Sequence, residues 1–162
     1  MGDARQHRGA GPRLLRRRGK KSEGEQALGR SRGGFSSKLH GAGDSLGNPL
    51  AFSLTAGQQG DAPQALPLLD RFTATAVIAD KAYDTDAILK VVAAGGALAV
   101  IPPKATRLDQ RATDWQLYQQ RHKIENLFGF MKHYRRVFAR FEKLARRYLA
   151  FVHLVAACIL LR

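Results

Sequence analysis

Residues 74–103 read ATAVIADKAYDTDAILKVVAAGGALAVIPP, two short apolar runs on either side of a helical stretch. Ala74 to Ala79 is nearly all apolar, the pattern of a strand buried on both faces. Asp84 supplies an N-cap for a helix over Thr85 to Ala94, and Gly95 and Gly96 end it. Ala97 to Ile101 is a second apolar strand, stopped by Pro102-Pro103. Strand, helix and strand in that order imply a parallel crossover, so the fold class is α/β. Sites in such sheets form beyond the carboxyl ends of the strands, where Asp80 falls, with Lys81 and Tyr83 beside it; taken alone, Asp80 reads first as a solubilising turn residue or a cap.

Upstream, FSSKLHGAGD (from Phe35) and LAFSLT (Leu50 to Thr55) alternate about a turn at Gly47-Asn48-Pro49, which predicts a hairpin. Asp44 is expected to be a turn residue of that hairpin. Asp61 caps a short helix reaching about Leu69, with Pro63 in its first turn. Downstream, a long helix is predicted from about Asp114 to Lys132 and another from about Glu142 to Leu161. On the first, Tyr118, Arg121, Glu125 and Lys132 fall within an arc of about 60° at ~100° per residue. Leu117, Ile124, Phe128 and Met131 form an apolar stripe alongside, so Glu125 is expected at the rim of the core. Taken alone, Arg121 and Glu125 read equally well as an ordinary i,i+4 surface pair.

The chain has 162 residues and a formal charge of +14, with a pI near 10.8 and 44% hydrophobic residues. That apolar fraction over this length supports a folded domain. The charge is uneven: residues 1–34 carry net +7, residues 35–114 net −1 and residues 115–162 net +8. Residues 1–34 have no helical or strand period and read as a basic, largely disordered arm, with the domain beginning at residue 35. Two cationic ends around a carboxylate-bearing middle point to nucleic acid as partner. One cysteine, Cys158, excludes a disulfide framework and a Cys-based zinc site, and fits the cytoplasm. Leu149 to Leu161 is too short to span a bilayer, which needs ~20 apolar residues, and no secretory signal opens the chain.

The spacing Tyr118-x2-Arg121-x3-Glu125-x6-Lys132 resembles the Tyr-Arg-Glu-Lys signature of bacterial insertion-sequence transposases with a DDE catalytic core. ADKAYD (Ala79 to Asp84), GRSRGGFSSKLH (Gly29 to His40), DSLGNPLAFSLTAGQ (Asp44 to Gln58) and VIPPK (Val100 to Lys104) extend the resemblance in one register from about Gln26 to Arg162. It implies a ribonuclease-H-like core, a mixed sheet flanked by helices with a helical C-terminus. It also implies metal-dependent DNA cleavage and strand transfer by two Mg²⁺ (or Mn²⁺) ions held by carboxylates. By resemblance Asp80 and Glu125 are two of the three catalytic metal ligands. Tyr118, Arg121 and Lys132, with Lys81 and Tyr83 nearby, are implied to contact the backbone of double-stranded DNA at the terminal repeats. A homodimer and a bacterial, nucleoid-associated location follow from the family as well.

The pattern departs from the family at its start. The family's first Asp lies in an Asp-x-Thr motif on an opening strand, whereas the only acids before Gly29 here are Asp3, Glu23 and Glu25. Ala82 replaces the family's usual Gly. The expectation is therefore a truncated catalytic domain that lacks its first strand and one ligand. The alternatives are a basic nucleic-acid-binding protein without catalysis, and a ribosome-associated protein, for which the chain lacks an aromatic RNA-stacking surface.

Overall fold

The computed structural model describes residues 7–10, 26–32 and 34–161. In chain order the elements are β1 (His7–Ala10), β2 (Gly29–Ser31), β3 (Gly34–Gly43), β4 (Pro49–Ala56), α1 (Ala62–Leu69), β5 (Ala76–Ile78), α2 (Asp86–Ala94), β6 (Leu98–Val100), α3 (Trp115–Gln119), α4 (His122–Lys132), α5 (Arg135–Phe138) and α6 (Ala145–Leu160), with a 3₁₀ turn at Lys81–Tyr83 before α2. This is a mixed α/β architecture, as the sequence predicts.

The hairpin β3–β4 is in register from Ser37↔Ala56 to Ala42↔Ala51, with an irregularity at Ala42/Gly43. Asp44 builds its turn: the carboxylate accepts from Leu46 N (2.8 Å), Asn48 N (2.9 Å) and Asn48 Nδ2 (2.9 Å), while Gly47 supplies a φ of +90°. Burial pushes the Asp44 carboxyl up, but these hydrogen bonds outweigh it and hold the group below its ordinary range.

β3 is the hub of an antiparallel sheet in which β1, β2 and β4 all pair with it. The stretch 1–34, expected as a disordered arm outside the domain, thus contributes two strands. His7–Ala10 has no apolar alternation and is a strand because its backbone completes β3 between Ser36 and Leu39. The rest of the expected arm, residues 1–6, 11–25 and 33, lies outside the described residues.

β5 and β6 form a separate parallel pair, Ala76↔Leu98 to Ile78↔Val100. Among the described residues the expected single mixed sheet is therefore two sheets. Each has its own core. Leu39 and Phe52 of the antiparallel sheet pack on Ile124, Leu127, Phe128 and Met131 of α4 and on Val152 and Val155 of α6. Gly41 allows this approach, since a Cβ there would lie 3.0 Å from the rings of both Phe52 and Phe128. Val77, Ala79, Tyr83, Ile88, Val92 and Ile101 make the second core around β5 and α2. An apolar cleft bounded by Gly41 and Ala42 of β3, Leu68 of α1 and Val77 of β5 lies between them.

Several element ends differ from expectation for local reasons. The helix predicted over 114–132 breaks into α3 and α4 at Gln120–Arg121. The His122 Nδ1 lies 2.7 Å from Gln119 O, the carbonyl that Lys123 N would otherwise use, and Lys123 N bonds Gln120 O instead. The last helix begins at Ala145, not Glu142, because the Glu142 and Lys143 carbonyls turn toward the Arg140 guanidinium. α2 is capped by Thr85, whose Oγ1 accepts from Ile88 N, and Asp84 is turned inward. Asp61 makes no side-chain cap and pairs with the buried Lys38 at 3.1 Å.

His40 carries a pH dependence. It is fully buried on β3, its Nε2 is 2.7 Å from Thr55 Oγ1 and its Nδ1 has no hydrogen-bond partner. Burial is the main cause that lowers its pKa to about 4, Asp61 opposing and Lys38 adding to the shift. Below an unfolded value near 6.5 the unfolded chain takes up a proton that the folded chain refuses, so this group removes stability as pH falls from about 6.5 to 4. The expected loss is about 3 kcal/mol. Urea midpoints at pH 7 and pH 4 should show it, and His40→Gln should flatten the difference. An unchanged pH dependence in that variant would assign the effect elsewhere.

Candidate active site

Asp80 stands directly after β5, where the parallel pair continues through Ala79 N to Val100 O at 3.3 Å. It caps the 3₁₀ turn, its Oδ1 accepting from Ala82 N at 2.5 Å, and it is half-buried. The carboxylate is thus held at the carboxyl end of a buried strand by a backbone bond, the placement that the apolar run 74–79 predicts. Ala82 fits the turn with its amide as the donor. Lys81 is exposed beside it. Tyr83, grouped with Lys81 as a phosphate contact, is buried at 2% exposure and packs in the second core, so it supports the turn from within.

The other half of the site is a chain of contacts across the break between α3 and α4. The rings of Trp115 and Tyr118 meet edge to face at 5.5 Å, Arg121 lies 5.5 Å over the Tyr118 ring, and an Arg121 Nη2 pairs with Glu125 Oε1 at 2.5 Å. Glu125 is half-buried in the first turn of α4, between Ile124 and Leu127 of the core. This is the rim position that helix phase predicts. Lys132 is exposed in the last turn of α4, two turns beyond Glu125.

The structure therefore joins Tyr118, Arg121 and Glu125 to one another, and holds Asp80 on a different layer. Among the described residues no group of three His, Cys, Asp or Glu side chains lies close enough to hold a metal ion. Asp44 is committed to its turn.

Sequence reasoning missed two features. Trp115 stands at the head of the aromatic and cationic chain, 62% exposed. Asp84, expected as a cap, has a fully buried carboxylate that accepts from Lys104 N (2.8 Å), Arg107 Nε (2.8 and 2.9 Å) and Arg111 Nη2 (2.8 Å). Burial pushes this carboxyl up, and its three donors more than reverse that, holding it below the ordinary range. It ties the segment 101–111 over the ends of β5 and β6, next to Asp80. The signal was the pair Arg107 and Arg111 in a polar linker, but nothing in the sequence says which acid they face. Asp84→Ala removes the shared buried acceptor, leaving Arg107 only Asp86 and Arg111 only Ile101 O, and is expected to cost about 3 kcal/mol. Trypsin should then cut between Lys104 and Arg111 in the native state; a wild-type digestion pattern would refute the clamp.

Comparison with known proteins gives the family of the chain. The transposase DDE domain family matches residues 3–161. A putative transposase for insertion sequence element IS6501 of Brucella ovis is 42% identical over 130 residues, which are 79% of this chain and the whole of that protein. No solved structure matches significantly. No helix among the described residues is long and apolar enough to cross a membrane. The chain belongs to the DDE-domain transposases of insertion sequences, and its work is DNA transposition.

Proposed function

We propose that Asp80 and Glu125 are catalytic carboxylates of a ribonuclease-H-like site that cuts and joins DNA at the insertion-sequence ends. The observation that carries this is the placement of Asp80 at the end of β5, together with the Tyr118–Arg121–Glu125 chain. An antiparallel hairpin followed by a parallel crossover pair and C-terminal helices supports the ribonuclease-H-like reading.

The residues fit a hard divalent cation, Mg²⁺ or Mn²⁺. Both are oxygen donors and both are half-buried, and Mg²⁺ is commonly held by one or two carboxylates with the substrate's phosphate and water completing the shell. Each carboxylate can hold such an ion together with the substrate's phosphate and water, and no group of three His, Cys, Asp or Glu side chains gathers among the described residues. When bound, the metal lowers the pKa of the attacking water or 3′-hydroxyl and neutralises charge on the phosphoryl group. The protein's own part is positional. Ala82 N fixes the Asp80 carboxylate, Arg121 fixes Glu125, and the exposed Lys81 and Lys132 neutralise backbone phosphates. Tyr118 holds the Arg121 guanidinium in place by its ring face. The partner is double-stranded DNA at the terminal repeats, engaged by a homodimer.

The test is a nicking and strand-transfer assay on terminal-repeat DNA with Mg²⁺ or Mn²⁺. Metal-dependent cleavage that Asp80→Ala and Glu125→Ala abolish is the expected result. Salt-sensitive DNA binding without cleavage would favour the non-catalytic reading.

A further inference from the structure

Five exposed cations, Arg135, Arg136, Lys143, Arg146 and Arg147, fall within thirteen residues of α5 and the start of α6, with Glu142 as the sole acid between them. The Tyr148 hydroxyl donates to Val137 O at 2.8 Å and so fixes α5 on α6. Arg135 lies 5.8 Å over the Phe141 ring, and Arg136 lies 5.6 Å over the Phe151 ring while reaching Glu142 at 3.3 Å. These contacts hold long side chains in place, lowering the entropy lost when they bind.

The stability of the fold does not explain this charge. Arg146 and Arg147 stand in the first turn of α6, at the positive end of its dipole, with no acidic residue and no side-chain cap there. Cations in that place weaken a helix. Among the described residues, Arg135, Lys143, Arg146 and Arg147 have no carboxylate partner, and Arg136 has only Glu142. A cluster that costs the free protein and is prearranged on a rigid frame fits a polyanion. The face of Phe141 is taken by Arg135, which argues against stacking on single-stranded bases and for a duplex backbone.

We propose that α5 and the first turn of α6 form a second phosphate-backbone contact for duplex DNA, beyond the phosphate contacts of Lys81 and Lys132. This rests on the reading of the chain as a DNA-binding transposase. The contact is independent of sequence and of the metal.

The experiment is binding of a random-sequence 30-base-pair duplex, followed by fluorescence anisotropy across a salt series without divalent metal. Arg146→Gln/Arg147→Gln is the test variant, Arg135→Gln/Lys143→Gln is a second that spares the helix start, and Arg71→Gln/Lys90→Gln is the control on a distant exposed surface. Each lost phosphate contact should lower the slope of log K against log salt by about 0.9, so each test pair should lower it by about 1.8 and the control by nothing. Urea midpoints confirm that the variants fold. A wild-type protein that binds no duplex would overturn the DNA-binding reading itself. Salt-dependent wild-type binding with an unchanged slope in both test pairs would overturn this proposal alone. So would a greater loss for single strands or for phosphatidylserine vesicles than for duplex.

Discussion

Replacing Arg140 by alanine is expected to destabilise the folded protein by about 4 kcal/mol. Its guanidinium is 1% exposed and joins two distant stretches of the chain: it donates to Gln26 O at 2.6 Å, to Ala27 O at 3.1 Å and to Ser37 Oγ on one side, and to Glu142 O at 3.3 Å and Lys143 O at 3.4 Å on the other. It also lies 5.2 Å over the Tyr148 ring. Without it the part-buried Gln26, Glu142 and Lys143 carbonyls lose this donor, at about 1 kcal/mol or more each, while Ala27 O keeps the Ser37 hydroxyl. Part of that is recovered, because a charge is no longer kept from water: burial alone already pushes the Arg140 pKa down, with Tyr148 and Glu142 opposing. Arg140→Lys should rescue little, since a single ammonium cannot serve acceptors on two sides as a planar fork does. Urea unfolding measures both variants. A loss below about 1 kcal/mol in the alanine variant would mean that the Gln26–Ala27 turn is held by other contacts.

Asp80→Asn and Glu125→Gln should each slow strand transfer by roughly three orders of magnitude, equivalent to about 4 kcal/mol in the barrier, while DNA affinity stays within about threefold. Both changes keep shape and remove charge, so the loss tracks metal ligation and not folding. For Asp80, asparagine can still accept from Ala82 N, leaving the turn after β5 intact. For Glu125, the glutamine Oε1 can still accept from Arg121, so DNA binding of that variant should be unchanged. Single-turnover rates and anisotropy separate the two effects. Activity of Asp80→Asn within about tenfold of wild type would remove Asp80 from the catalytic centre.

Much of this was legible because it depends on neighbours close in sequence. The apolar runs around residues 77 and 99 marked a buried parallel pair, and Gly47-Asn48-Pro49 marked the hairpin turn. Tyr118, Arg121 and Glu125 meet even though the helix expected to align them is broken, since residues three and four apart stay adjacent through one tightened turn. His122 causes that break by bonding Gln119 O, a competition between side chain and backbone that periodicity does not register.

Strand β1 was illegible for a different reason. HRGA carries no alternating pattern, and its conformation comes from backbone groups that β3 leaves unpaired. Asp84 looked like a helix cap because local propensity is all that DTD displays; its buried pairing with Arg107 and Arg111 is set by where the linker returns.

By itself the sequence determined the α/β class, the carboxylate at the end of β5, the Tyr118–Arg121–Glu125 grouping and the cationic C-terminal region. These follow from hydrophobic period, turn chemistry and charge, which act over a few residues. Only the tertiary structure decided that Tyr83 is core, that Asp84 and Arg140 are clamps, that the N-terminal stretch supplies strands to β3, and that the two sheets have separate cores. The two clamps depend on burial and on partners 20 to 114 residues away, where desolvation makes a hydrogen bond or ion pair matter most.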